Sequence, residues 1–254
     1  MLRFSPFLRR TVSPCALLLV WELISRTRTV DPLLLPPPSV VFAEIGRLLW
    51  GGSLLLDLWA SLRRILVGFS ISVVISVVIG ALMARSVLFE DMLDPIIELI
   101  RPVSPLAIFP LALLWFGIGD GSKIFLIALS CSFPIILSTY AGVRGIDRSY
   151  IRVARSLGAN QSEILAHIIL KGCLPQLFTG IRVAWGIALI VIIASEMIGG
   201  VAGLGYMVLT AQETFRVDRV FAGIVVIGVL GFSTDQAFRA LRRRLLPWYQ
   251  ELRE

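Results

Sequence analysis

The chain alternates long apolar runs with short polar breaks, and the runs have the length of a bilayer crossing. Residues 65–84 carry no charge in twenty positions and form the clearest spanning helix. Residues 124–143, 178–198 and 217–238 read the same way, with Pro134 inside the first of them. Residues 102–119 make a further span, interrupted by Pro105 and Pro110. Such kinks persist in lipid only where neighbours or a cavity satisfy the freed carbonyls, so this helix is expected to line a pathway. A shorter first span is expected at 12–25, with Glu22 near its outer end. About six spans in one domain, 1–254, predict an all-α polytopic membrane protein.

The segments between the spans carry their own signals. Leu35-Pro36-Pro37-Pro38 cannot be helical and reads as an extended loop. Ser39 then caps a short amphipathic helix, 40–50, which Gly51-Gly52 ends. Residues 54–64 are amphipathic, with Trp59 and Arg63-Arg64 suited to an interface. Residues 85–101, with Glu90, Asp91, Asp94 and Glu98, read as a polar interruption, and 199–205 as a glycine-rich loop.

One break is unlike the others. Residues 149–175 read SYIRVARSLGANQSEILAHIILKGCLP, polar and basic between two apolar runs. Charge kept there is presented to something in water. Two short helices are predicted, 149–157 and 161–170, broken at Gly158-Ala159-Asn160. Asn160 is the expected cap of the second, with Glu163 at its third helical position.

Composition agrees with the pattern. Hydrophobic residues are 57% of the 254, charged residues 16%, and mean hydropathy is +0.86. A soluble domain would be about one-quarter charged. The net charge of +7 does not imply nucleic acid, because membrane proteins gather Lys and Arg on their cytoplasmic side. Placing both termini in the cytoplasm puts Lys and Arg inside rather than outside by roughly two to one, with residues 144–175 inside. The apolar run after Arg9 and Arg10 could be a signal peptide, but Glu22, Arg26 and Arg28 follow it where a small-residue cleavage site would stand, so a retained span is expected. Cys15, Cys131 and Cys173 have no metal or disulfide spacing and read as apolar packers. Gly117–Lys123 has glycines and a lysine but not the phosphate-loop spacing. His167 alone makes no metal site. One histidine is too few for a membrane-embedded enzyme, and the clean spans carry no mid-membrane charge pairs of the kind secondary carriers use.

Residues 149–175, read as a docking element, resemble the cytoplasmic coupling loop of permease subunits of binding-protein-dependent ABC importers. That loop reads Glu-Ala-Ala, three residues, Gly, nine residues, Ile-x-Leu-Pro. Gly158 sets the register, with Ala154, Ile168 and Leu170 on matching positions, while Arg152 replaces the Glu and Lys171 the Pro. Leu35–Pro38, Ser61-Leu62-Arg63-Arg64, Asp94-Pro95-Ile96-Ile97-Glu98, Leu114–Gly119, Gly180-Ile181-Arg182, Gly203-Leu204-Gly205 and Pro247-Trp248 are similar to the branch importing nitrate, taurine and alkanesulfonates.

The resemblance implies a type I importer permease fold in a bacterial inner membrane. It also implies a second copy of the chain, two ATP-binding-cassette subunits that use ATP and Mg, and a periplasmic or lipid-anchored solute-binding protein. This chain would itself bind no cofactor and catalyse nothing. A taurine- or sulfonate-like anion is the first expectation for the solute, with nitrate or another small solute as the alternative. Tyr150, Ala154, Leu157, Gly158 and Ala159 would meet the ATPase, with Arg152 and Arg155 as a charged rim. Ser104, Pro105, Pro110, Ser195 and Glu196 are candidates for the translocation path. Glu196 either lines that path or sits exposed at its mouth, with Arg182 or an arginine of the second copy as its partner. Arg182 is expected to snorkel to the inner surface. Gly199, Gly203 and Gly205 form either an outer turn, with Gly203, Leu204 and Gly205 met by the binding protein, or a small-residue helix contact.

Overall fold

The computed structural model describes residues 6–27, 31 and 33–248, with side chains from Cys15 onward. Every regular element among them is helical: α1 (Pro6–Arg26), α2 (Pro38–Trp50), α3 (Ser53–Arg85), α4 (Val87–Ile100), α5 (Pro105–Phe116), α6 (Asp120–Arg144), α7 (Arg148–Ser156), α8 (Gln161–Gly199), α9 (Leu204–Glu213) and α10 (Val217–Leu245). Arg3, Arg28 and Arg253, which entered the charge bias, lie outside the described residues. Four helices, α3, α6, α8 and α10, are long and apolar enough to cross a membrane, and α4 with α5 passes the same test as one bent pair. The expected first span coincides with part of α1.

α6 is the centre. It packs against α3 on one side and α8 on the other. α3 runs parallel to it: Gly68 lies against Ile124 and Ile127, Gly80 against Ile136 and Thr139. The reason is legible in α3 as a stripe of small residues four apart, Gly68, Ser72, Ser76 and Gly80, all buried. In lipid, where tails are as apolar as leucine, helices associate through such close backbone approach. Ser130, Ser132 and Thr139 of α6 donate their hydroxyls to carbonyls four residues back, Leu126, Ala128 and Ile135. That satisfies them without a partner helix. Ile65, Leu126, Ile127, Cys131, Ala184, Ala188 and Ile192 fill the core between the three helices.

Several elements differ from the sequence expectation. α2 begins at Pro38 with Pro37 as its N-cap, and Ser39, the expected cap, instead donates its hydroxyl to Glu22. The polar stretch 85–101 is the amphipathic helix α4, whose Ile97 packs on Met83 and Ile136 while Glu90 reaches Tyr140 and Arg144 of α6. Its carboxylates recur at helical spacing, which breaks the apolar run without breaking the helix. Span 102–119 is therefore half of a bent pair. α5 has twelve residues, about 18 Å, too short to cross a core of about 30 Å, and it meets α4 at 100°. Pro105 opens α5, where its missing N–H costs nothing. Residues 54–64 are no separate interfacial helix; α3 is continuous over 33 residues.

Gly80→Val should force α3 and α6 apart, since a Cβ there would lie 2.7 Å from Ile136 O and Thr139 Cβ. Thermal unfolding of the detergent-solubilised chain should show a loss of about 1–3 kcal/mol. Gly228→Ala, with nothing within 4 Å, should change stability by less than about 0.5 kcal/mol.

Candidate functional site: a coupling helix and a buried clamp

α7 stands at the end of the bundle where α6 finishes and α8 begins. Asp147 caps it, accepting from Ser149 N at 2.8 Å, and this backbone donor holds the Asp147 carboxyl below its ordinary pKa. The cap is therefore complete above the ordinary carboxylate pKa and is lost as pH falls through the lowered value. At the other end Gly158, at φ +84°, donates to Arg155 O at 3.0 Å, and Ala159 N donates to Ala154 O at 3.0 Å. The two bonds make a Schellman stop, which needs a left-handed residue and so a glycine. Asn160 Oδ1 accepts from Glu163 N, and Glu163 Oε2 from Asn160 N, both at 2.9 Å. This is the capping box expected from the sequence.

No residue of α7 is buried. Tyr150, Val153, Ala154 and Leu157 fall on one stripe by helical spacing, and Tyr150 is 67% and Leu157 81% exposed. Arg148, Arg152 and Arg155 occupy the other side. The stripe faces a cavity of about 1140 Å³, walled also by the end of α6 and the start of α8 and reaching Trp248. The second docking helix does not end at residue 170. It continues into α8, with Ile164–Ile169 wound as a π-helix. Pro175 sits inside this helix.

The opposite end is tightly closed. Glu196 is fully buried. Its Oε1 accepts from Arg64 Nη1 at 2.7 Å and its Oε2 from Gly205 N at 3.0 Å. Ser61 Oγ donates to the same carboxylate at 2.8 Å and accepts from Leu204 N at 2.9 Å. Asp57 Oδ1 accepts from Gly203 N at 2.9 Å. The three leading N–H groups at the start of α9 thus go to side chains of α3 and α8, which satisfies donors that a helix start leaves open. Arg64 continues to Asp120 at 2.6 Å and to Ala202 O at 2.8 Å. Lys123 Nζ donates to Gly119 O at 2.9 Å and Gly199 O at 3.0 Å.

This arrangement corrects several expectations. Gly203, Leu204 and Gly205 are all buried, so they offer nothing to a docking protein. They are where a backbone must approach Glu196: a Cβ on Gly203 would lie 2.3 Å from its carboxyl. Glu196 is neither exposed at a mouth nor partnered by Arg182. Arg182 pairs with Asp235 of α10 at 2.6 Å. Ser195, also fully buried, donates to Ile192 O within α8; it and Glu196 face protein. Ser104 and Pro110 are exposed on α5, and Pro105 borders a cleft between α5, α6 and α8. Arg64 was read as an interfacial residue, yet its side chain is 5% exposed. The sequence signal for the clamp was the spacing of Asp57, Ser61 and Arg64 along one side of a helix, but no local pattern names partners more than 130 residues away.

Residues 76–247 match the family described as binding-protein-dependent transport system inner membrane component. The chain belongs to this family. It is 41% identical over 241 residues to the taurine transport system permease protein TauC of Escherichia coli strain K12, covering 93% of this chain and 88% of that protein. It is 35% identical to the putative aliphatic sulfonates transport permease protein SsuC of Bacillus subtilis strain 168, covering 92% and 85%. A crystal structure of an amino acid ABC transporter with histidines shares the fold, with a TM-score of 0.61 and 21% identity, over 81% of this chain and 98% of that one. The chain is thus a multi-pass permease component with the type I ABC importer architecture.

Glu196→Gln should cost about 3 kcal/mol, because a neutral amide leaves buried Arg64 with Asp120 as its one remaining counter-charge. Ser195→Ala, which removes one bond within a helix, should cost less than about 1 kcal/mol. Thermal unfolding of both variants in the same detergent checks the pair.

Proposed function

We propose that two copies of this chain, joined to two ATP-binding-cassette subunits, form the membrane path of an importer for sulfonate-class anions. The observation that carries this reading is the apolar stripe of α7. A short basic helix, capped at both ends and exposed along Tyr150, Val153 and Leu157, is what recognition of a helix in a groove requires of the inserted partner. The names of the relatives support the solute class. α7 and both termini would face the cytoplasm of a bacterium, and ATP and Mg would be used by the partner subunits. At the clamp end, the solute-binding protein would meet Trp50, Ile118 and Phe215, which are 96%, 82% and 89% exposed, in place of the buried Gly203–Gly205 turn.

ATP-driven closure of the partner subunits would push on α7. Its rigid Schellman corner would pass the motion into α8, and the spans would shift between inward- and outward-open arrangements.

Purification from membranes should yield a particle whose mass fits two permease chains and two ATPases; a transport-competent monomer without an ATPase would end the reading. Gly158→Pro, whose ring fixes φ near −65° where the chain needs +84°, should leave membrane insertion intact. It should abolish the coupling of ATP hydrolysis to uptake. Normal uptake by that variant would remove α7 from the coupling role.

A further inference from the structure

A cleft of about 490 Å³ opens where α4 turns into α5, walled by α6 and α8. Pro134, on its α6 wall, is ten residues from the end of that helix, about 15 Å along the axis, so the cleft lies near mid-helix. Arg101 stands at the corner of the broken span and lines the cleft. It is exposed and makes no ion pair among the described residues. Two arginines elsewhere along the long helices are answered: Arg64 by Asp120 and Glu196, Arg182 by Asp235. An unanswered cation at membrane depth is costly, and is kept where it serves a solute or a water-filled path.

The other polar groups sort by what they have left to give. Ser130 and Thr179 spend their hydroxyl protons on Leu126 O and Pro175 O. The Ser138 hydroxyl has no such partner and sits against Gly180, where a Cβ would come within 2.3 Å of it. The cleft therefore offers two donors, the Arg101 guanidinium and the Ser138 hydroxyl. No acidic residue lines it, and its walls are apolar, with Pro105, Pro134, Val183 and Ile187 among them.

We infer that this cleft is a transit site for a small monovalent oxyanion bearing a short apolar tail, with Arg101 as its anchor. The guanidinium fork and the hydroxyl meet the oxyanion head, and the apolar walls take the tail. The bent pair is what makes the site possible: a straight span would carry Arg101 past the cleft, whereas the turn after Ile100 points the chain across it. This rests on the importer reading above and goes further by naming where in the membrane the solute is held.

The test uses the complete assembly with its ATPase and binding protein in proteoliposomes, with radiolabelled butanesulfonate and nitrate as anion probes and choline and glycerol as cationic and uncharged ones. Arg101→Gln should lower uptake of the transported anion by about tenfold, the scale of one charge-assisted hydrogen bond. ATP hydrolysis stimulated by loaded binding protein should stay within about twofold, since α7 and the clamp are untouched. Arg101→Lys should keep most of the uptake. Val183→Trp, which fills the cleft without touching the arginine, should block uptake in the same way and decides the matter if Arg101→Gln fails to assemble. Wild-type uptake matched by both Arg101→Gln and Val183→Trp would overturn the cleft and leave the importer reading standing. Wild-type uptake of cations or uncharged solutes alone would overturn both.

Discussion

A carboxylate enclosed by protein in an apolar medium must be answered by donors, and Glu196 is where this fold meets that demand. Its answer draws in three other elements: Ser61 and Arg64 from α3, the Gly205 amide of α9, and through Arg64 the start of α6 at Asp120. The desolvation of such a group is offset only by near-complete hydrogen bonding. The Gly203-Leu204-Gly205 turn follows from this. The backbone must come close enough to donate, and no side chain can stand between it and the carboxyl.

The two ends of the molecule are consequently unlike. The clamp end is closed and polar inside, with Glu196, Arg64 and Lys123 all hydrogen-bonded. The α7 end has no buried residue in its projecting helix, a cavity behind it, and a π-wound turn where that helix feeds α8. Regions with few buried contacts open at low cost, and rigid ones do not. An assembly that works by moving one end of a bundle against the other needs this distribution of stiffness, a fixed pivot and a lever whose own shape is set by its caps. Gly158 and the Asn160–Glu163 box give the lever its shape, so that motion is transmitted rather than absorbed at the corner.

Between those ends the bundle is held by shape more than by charge. The small-residue stripe of α3 lets it lie directly on α6, and the α6 hydroxyls are satisfied by their own helix. A side-chain hydrogen bond across this seam, between Ser72 and Ser132 at 3.3 Å, adds little to that close packing. The bent α4–α5 pair lies beside this seam and leaves the cleft at its corner.

Apolar run length, helical periodicity and cap chemistry are properties of neighbouring residues, and on those grounds most spans, the α7 corner with its capping box, and the helical class could be read from the residues alone. What escaped such reading depends on distance along the chain. That Arg64 is buried and answers Glu196, that Arg182 answers Asp235 instead, and that Gly203–Gly205 are hidden were decided only when helices more than fifty residues apart were brought together. An isolated helix with Arg63-Arg64 near one end looks interfacial because its partner carboxylates are unknown. The α4–α5 turn was misjudged for a related reason: an amphipathic helix interrupted by acids looks like a loop until a second helix supplies the surface its apolar side covers.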